Sequence, residues 1–166
     1  MLSFADALRR VLDGVEPLGA ERVGLRAAAG RVLARDVVAS VGLPRFDHSA
    51  MDGYAVDARD FATPGPWRLP VRGESRAGAA APALERGSAC RIFTGAPMPA
   101  GADAVILQED ARASEGTVEF QLAPRAGQNI RHCGEDLALG SVALRAGTRL
   151  GAHQLGLAAG LDQVDV

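Results

Sequence analysis

The chain has 166 residues, of which 48% are apolar but only 4% aromatic, so any core must be built from Val, Leu, Ile and Ala. Its basic residues are all Arg, and 18 of them against 20 acids leave a formal net charge of -2. That balance lacks the basic footprint of a nucleic-acid partner, and no apolar run reaches the length of a membrane span.

The length suits one domain or two small ones. Cys90 and Cys133 are far apart and show no CxxC spacing, so they form no disulfide framework, and a reducing cytoplasm is the simplest setting. The first residues, MLSFADALRRVLDGV, lack the basic start and unbroken apolar core of a signal peptide. Phe4, Leu8, Val11, Leu12 and Val15 recur at helical spacing, which predicts an amphipathic helix over Ser3 to Val15. Ser3 and Asp6 resemble a capping box, and Gly14 and Pro17 end the helix. A short strand is expected at Glu21 to Leu25, a brief helix at Arg26 to Val32, and extended chain from Leu33 to Ala39.

Beyond Pro44 the texture changes. Short apolar runs alternate with Gly and Pro at Tyr54 to Val56, Trp67 to Val71, Cys90 to Phe93, Ala104 to Leu107 and Val118 to Leu122, which reads as a small all-β unit. Arg76 to Gly87 reads as a surface connection. Val142 to Leu144 is expected to be extended, Gly151 to Gly160 helical with Gly160 as the C-cap, and Gln163 to Val166 a strand. The ending LDQVDV reads as mid-structure, so further protein is expected downstream. The expected architecture is α+β and β-rich: a mixed helix/strand linking domain, 1–45 with 137–166, interrupted by an inserted small β domain, 46–136. The chain would cross between them near 42–47 and 131–138, where polar clusters gather and a cleft is expected.

Three clusters can carry chemistry. FDHSAMDGYAV, from Phe46 to Val56, holds Asp47, His48, Ser49 and Asp52. Asp and Ser ahead of Gly suit a tight turn, but the same carboxylates suit a divalent ion or a substrate donor. Arg91 to Asp110, RIFTGAPMPAGADAVILQED, places Thr94 and Gly95 after an expected strand. A hydroxyl and free backbone N–H groups there can hold an anion, although the segment lacks the P-loop pattern. NIRHCGED, Asn129 to Asp136, holds four possible metal ligands, His132, Cys133, Glu135 and Asp136, at no zinc spacing. Arg131 is expected to bind an oxyanion or a carboxylate, with Glu135 or Asp136 on the same cleft; the alternative is a solvated charged turn around Gly134. His153 is expected on the helix surface, and Cys90 in the core.

PRFDHSAMDGYAV, RIFTGAPMPAGADAVILQED and GQNIRHCGEDLALGSVALRAGTRLGAHQLGLAAG, together with GRVLARDVVA ahead of them, resemble in order and spacing the N-terminal half of the molybdopterin molybdenumtransferase family. These are the MoeA-type enzymes, related to the E domain of gephyrin. The resemblance implies insertion of molybdate into adenylylated molybdopterin, releasing AMP, with Mg²⁺ assistance, in a cytoplasmic homodimer. It implies that Asp52, Thr94 and Asp136 are catalytic cleft residues, with Arg131 and Glu135 as substrate-binding residues and Thr94 as a neutral donor. It names no metal ligands in this chain; the molybdopterin-binding and C-terminal domains, where the main Mg²⁺ and molybdate sites are expected, would follow Val166. The isolated chain is therefore expected to be inactive. His48 stands where the family more often has Asn, and His132 and Cys133 where it has Arg. The competing readings are a non-catalytic scaffold or assembly module of the same fold, and a stand-alone oxyanion or metal binder.

Overall fold

A computed structural model describes residues 2–16 and 18–166. They divide into two compact units, residues 1–37 with 142–166 and residues 38–141. Among the described residues two helices stand against ten strands, so the fold is α+β and β-rich as expected.

The first unit begins with α1, Phe4–Leu12. The Ser3 hydroxyl caps it by accepting from the Asp6 N–H at 3.2 Å, and donates in turn to the Asp6 carboxylate at 2.6 Å. This leaves fewer orphan N–H groups in the first turn. The helix ends at its C-cap Asp13; Pro17, named above as a stop, lies outside the described residues. The apolar stripe of α1 is uncovered: no residue of the helix is buried, and Phe4 is 85% exposed. The core of this unit lies elsewhere, in Ala28, Leu33, Val37, Leu150, Ala158 and Leu161.

Two expected strands of this unit are too short to be strands, but they pair with each other. Val23 and Val166 exchange backbone hydrogen bonds at 3.0 Å each, and Gly24 bridges Asp165. The brief helix expected at Arg26 to Val32 is a single 3-10 turn, Leu25–Ala27, because the chain reverses at Gly30 with φ +79°. There the Gly30 N–H donates to Leu150 O. Strands β1 (Val37–Val38) and β10 (Val142–Leu144) form a two-stranded sheet. Helix α2, Ala152–Gly160, runs through the glycine expected to cap it. Leu161 is the C-cap instead, and the left-handed residue beyond the helix is Asp162, φ 60°.

The second unit is built on a six-stranded sheet. Its members are β3 (Gly53–Val56), β4 (Trp67–Ser75), β5 (Ala89–Ile92), β6 (Ala104–Leu107), β7 (Ala111–Ser114) and β8 (Thr117–Phe120), in the order β6-β3-β5-β4-β8-β7. Neighbours are antiparallel except β4 and β5, which run parallel. One core cluster gathers Tyr54, Val56, Phe61, Leu69, Ile106, Val118 and Phe120, with the Phe120 ring tilted against Phe61 and edge-on to Tyr54. The other holds Ala55, Cys90, Ile92, Ala96 and Val105. Alternation along β3 sends Tyr54 and Val56 to one face and Ala55 to the other, so this strand is buried throughout. Cys90 is a core residue, and burial pushes its thiol above the ordinary value.

Strand β4 outruns its expected end at Val71, because an irregularity between Val71 and Glu74 absorbs Gly73, φ +76°. Strand β7 was not expected. ARAS is too polar to read as a strand, yet it pairs with β8 across a two-residue Glu115-Gly116 loop.

Two further short strands, β2 (His48–Ser49) and β9 (Ile130–Arg131), form a separate antiparallel pair in this unit. The compact units exchange at 37/38 and 141/142, outside the 45/46 and 136/137 read from composition. The physical reason is a backbone ladder within the second unit. Ala39 N–H donates to Ser141 O at 2.8 Å, Leu43 N–H to Leu137 O at 2.9 Å, and Gly134 N–H to Pro44 O at 2.9 Å.

Candidate functional site

The three polar motifs, separated by tens of residues in sequence, are laced together by backbone hydrogen bonds within the second unit. Strand β2 of the first motif pairs with β9 of the third, setting His48 opposite Arg131 and Ser49 opposite Ile130. The other side of the first motif holds the second: Ser49 N–H donates to Ala96 O, Gly95 N–H to Ser49 O, and Met98 N–H to Asp47 O, at 2.8 to 3.0 Å. Ser49 is fully buried and closes its own turn, its hydroxyl donating to Met51 O at 2.6 Å. Positive φ at Gly95 lets the second motif turn sharply after Thr94.

Asp52 and Thr94 meet directly. The Thr94 N–H and hydroxyl each donate to Asp52 Oδ1 at 2.8 Å. The amide, then the hydroxyl, then the nearby charge of Arg91 hold the Asp52 carboxyl below its ordinary range. The Thr94 proton expected to serve a ligand is thus engaged by Asp52, and the hydroxyl presents acceptor lone pairs instead. The base beneath this pair is rigid for a steric reason. A Cβ on Gly53 would lie 2.0 Å from Ile106 O, so only glycine lets β3 approach β6 this closely.

The third motif closes on itself and on Asp47. The Glu135 carboxylate accepts from the His132 N–H at 2.9 Å and lies 3.0 Å from Arg131 Nε. That second approach is an ion pair without hydrogen-bond alignment, since Arg131 Nε is buried and its N–H has no acceptor. Arg131 Nη2 donates to Asp136 Oδ1. One guanidinium therefore faces two carboxylates, and the His132 N–H followed by Arg131 keeps Glu135 below its ordinary range. Arg131 pairs with carboxylates of its own loop, the second of the two partner types expected of it, an oxyanion or a carboxylate.

Asp47 does more than shape its local turn. Its Oδ1 accepts from the Cys133 N–H at 2.8 Å and its Oδ2 lies 3.1 Å from His132 Nδ1. The Cys133 amide is the main cause of its lowered pKa. Cys133 Sγ donates to Arg45 O at 3.3 Å, a further tie between the first and third motifs. His48 packs edge-on to Phe46 and sets Nδ1 3.2 Å from Ser49 O. His153 is exposed on α2.

Two acid clusters result: Asp52 with Thr94, and Arg131, Glu135 and Asp136 with Asp47 beside them. Among the described residues no three His, Cys, Asp or Glu side chains converge as a metal site. These carboxylates would hold the Mg²⁺ that the resemblance implies only as one or two ligands alongside substrate oxygens and water, not as a cage of protein ligands. Sequence reasoning missed Arg91, Gln108 and Asn129. Arg91 donates to Gly53 O and to Gln108 Oε1, and Asn129, with φ 57°, donates to Val105 O at 2.9 Å. The one available signal was an Arg within the otherwise apolar strand ACRI.

The comparisons agree with one another. Residues 2–161 match the MoeA N-terminal region (domain I and II) family. A molybdopterin molybdenumtransferase from Synechococcus elongatus is 42% identical over 96% of this chain, and one from Haemophilus influenzae is 40% identical over 100% of this chain. The chain spans 41% of each of these relatives. The crystal structure of the molybdopterin biosynthesis moeA protein from Pyrococcus horikoshii superposes over the whole chain and 45% of its own, with TM-score 0.90 and 35% identity.

Proposed function

The chain belongs to the MoeA N-terminal region family, and on that premise we propose that it forms one wall of the reaction cleft of a molybdopterin molybdenumtransferase. The reaction is insertion of molybdate, the substrate oxyanion, into adenylylated molybdopterin, with release of AMP. The observation that carries the proposal is the Asp52–Thr94 pair, joined at 2.8 Å across 42 residues by the folding together of the first two motifs. Asp52 stays ionised at neutral pH, so it would repel phosphate and molybdate and accept instead from pterin N–H groups. The Thr94 hydroxyl adds acceptor lone pairs beside it. Asp136 and Glu135, with Arg131 balancing part of their charge, would line a second stretch of the same wall.

The remainder of the relatives' length would supply the molybdopterin-binding domain and the Mg²⁺ and molybdate sites, so this chain by itself would not turn over. A cytoplasmic homodimer fits the two unbridged cysteines and the uncovered apolar face of α1. The uncovered face also favours a second reading, a non-catalytic assembly module of the same fold. No described helix is long and apolar enough to cross a membrane.

A chimera separates the two readings. This chain replaces the matched 41% of the Synechococcus elongatus relative, and molybdenum cofactor formation is measured. Asp52→Asn is expected to lower the rate about 100-fold, the scale of a misplaced cleft group. A dimeric chimera with wild-type rate after Asp52→Asn would leave only the assembly reading.

A further inference from the structure

We infer that Arg91 is a positioning residue that clamps the Asp52-bearing and Thr94-bearing segments into one unit. Arg91 lies in β5, opposite Tyr54 of β3 and Glu74 of β4. Its Nη1 donates to the carbonyl of Gly53, the residue after Asp52, at 2.7 Å. Its Nη2 donates to Gln108 Oε1 at 2.6 Å, and the Gln108 N–H donates to the Asp52 carbonyl at 3.1 Å. The guanidinium carbon stands 4.6 Å from the ring centroid of Phe93, the residue before Thr94, and 5.2 Å from that of Tyr54.

One planar group thus reaches both sides of the Asp52–Thr94 hydrogen bonds. The fork fixes the backbone on the Asp52 side through Gly53 and Gln108. The flat face holds Phe93 on the Thr94 side, and so orients the N–H and hydroxyl of the next residue. A lysine would supply the charge but neither the fork nor the stacking face. Because two of its nitrogens are already bonded to protein acceptors, Arg91 acts through Asp52 and Thr94. Of the two anchors, Gly53 lies so close to β6 that a Cβ on it would fall 2.0 Å from Ile106 O. Other charged groups on neighbouring segments are Glu74, paired with Arg76, and Glu109, bonded to Gln108. Glu74 is the cross-strand partner of Arg91, so its charge works against the effect of Arg91 on Asp52.

The importance of the clamp to the reaction rests on the proposed role of Asp52 and Thr94; the clamp itself is tested without turnover. In the isotope-labelled chain, NMR follows two quantities: hydrogen exchange of the Thr94 amide and the titration midpoint of the Asp52 carboxyl. Arg91→Gln is expected to speed Thr94 exchange at least tenfold and to raise the Asp52 midpoint. Arg91→Lys is expected to bring the midpoint back part of the way without slowing the exchange, which separates geometry from charge. A folded Arg91→Gln chain with wild-type Thr94 exchange overturns the inference, as does full recovery of exchange in Arg91→Lys. If Arg91→Gln does not fold, Gln108→Ala removes one anchor only: faster Thr94 exchange supports the clamp, and unchanged exchange overturns it. Failure here leaves the cleft reading intact, whereas a fully active Asp52→Asn chimera removes that reading and leaves the clamp.

Discussion

Asp52 and Asp136 are both carboxylates of the second unit, but their surroundings differ in kind. Asp52 is held by neutral donors, an amide and a hydroxyl, just ahead of an interior strand whose first position admits only glycine. Asp136 is held by the charge of Arg131, which it shares with Glu135 in a solvated loop. Neutral donors orient a carboxylate and leave its charge in place for a ligand. An arginine shared by two acids cancels half of the charge and ties the loop to itself. The first arrangement suits recognition, and the second suits holding a loop in shape.

The largest way to break this contrast is to remove the base beneath Asp52. Gly53→Ala forces a methyl group into Ile106 O, and the unfolding free energy is expected to fall by about 3 kcal/mol, as for other overpacked sites. Urea denaturation followed at Trp67 measures it. The Arg131 loop, which does not rest on Gly53, should keep its own amide shifts in whatever fraction stays folded.

A smaller effect is expected on the other side. Asp47→Ala removes the acceptor of the Cys133 amide and the partner of His132. Asp47 is about half exposed, so after discounting for solvent the loss should be about 1 kcal/mol. The informative readout is local: the amide shifts of His132 and Cys133 should move while that of Thr94 stays. Movement of Thr94 as well would mean that the two acid clusters are coupled.

Acid and salt sharpen the comparison with the mildest perturbation. The carboxyls of Asp47, Asp52 and Glu135 are all lowered in the folded chain. Their contribution is therefore fully present above the ordinary carboxylate pKa of about 4 and is lost as pH falls through the folded values. A thermal midpoint that rose on acidification below that range would contradict the sign. Raising ionic strength toward about 1 M, where screening acts within a few ångströms, should loosen the Arg131 loop and leave the Thr94 amide shift unchanged. Equal responses at both clusters would dissolve the distinction drawn between them.

Much of the fold was legible in the sequence because the signals were local. Ala104 to Leu107 is apolar throughout and became a buried strand with those same ends. Ser3 and the 3.6-residue stripe marked α1. Polar ARAS was not legible, since its strand character comes from pairing with β8 rather than from its own residues. The C-cap of α2 was misplaced to Gly160 because Asp162 takes up the left-handed conformation that glycine usually supplies.

For the site, the residue types and their grouping into three motifs were readable, and those motifs in their order and spacing were enough to reveal the family resemblance. The partners were not. That Asp52 faces Thr94, that Asp47 reaches the Cys133 amide and that Arg91 joins Gly53 to Gln108 all depend on chain segments 17 to 86 residues apart. Composition and periodicity describe what a residue prefers among its neighbours in sequence. Which donor a carboxylate meets across the sheet is decided by strand order and register, and these exist only once the whole unit has packed.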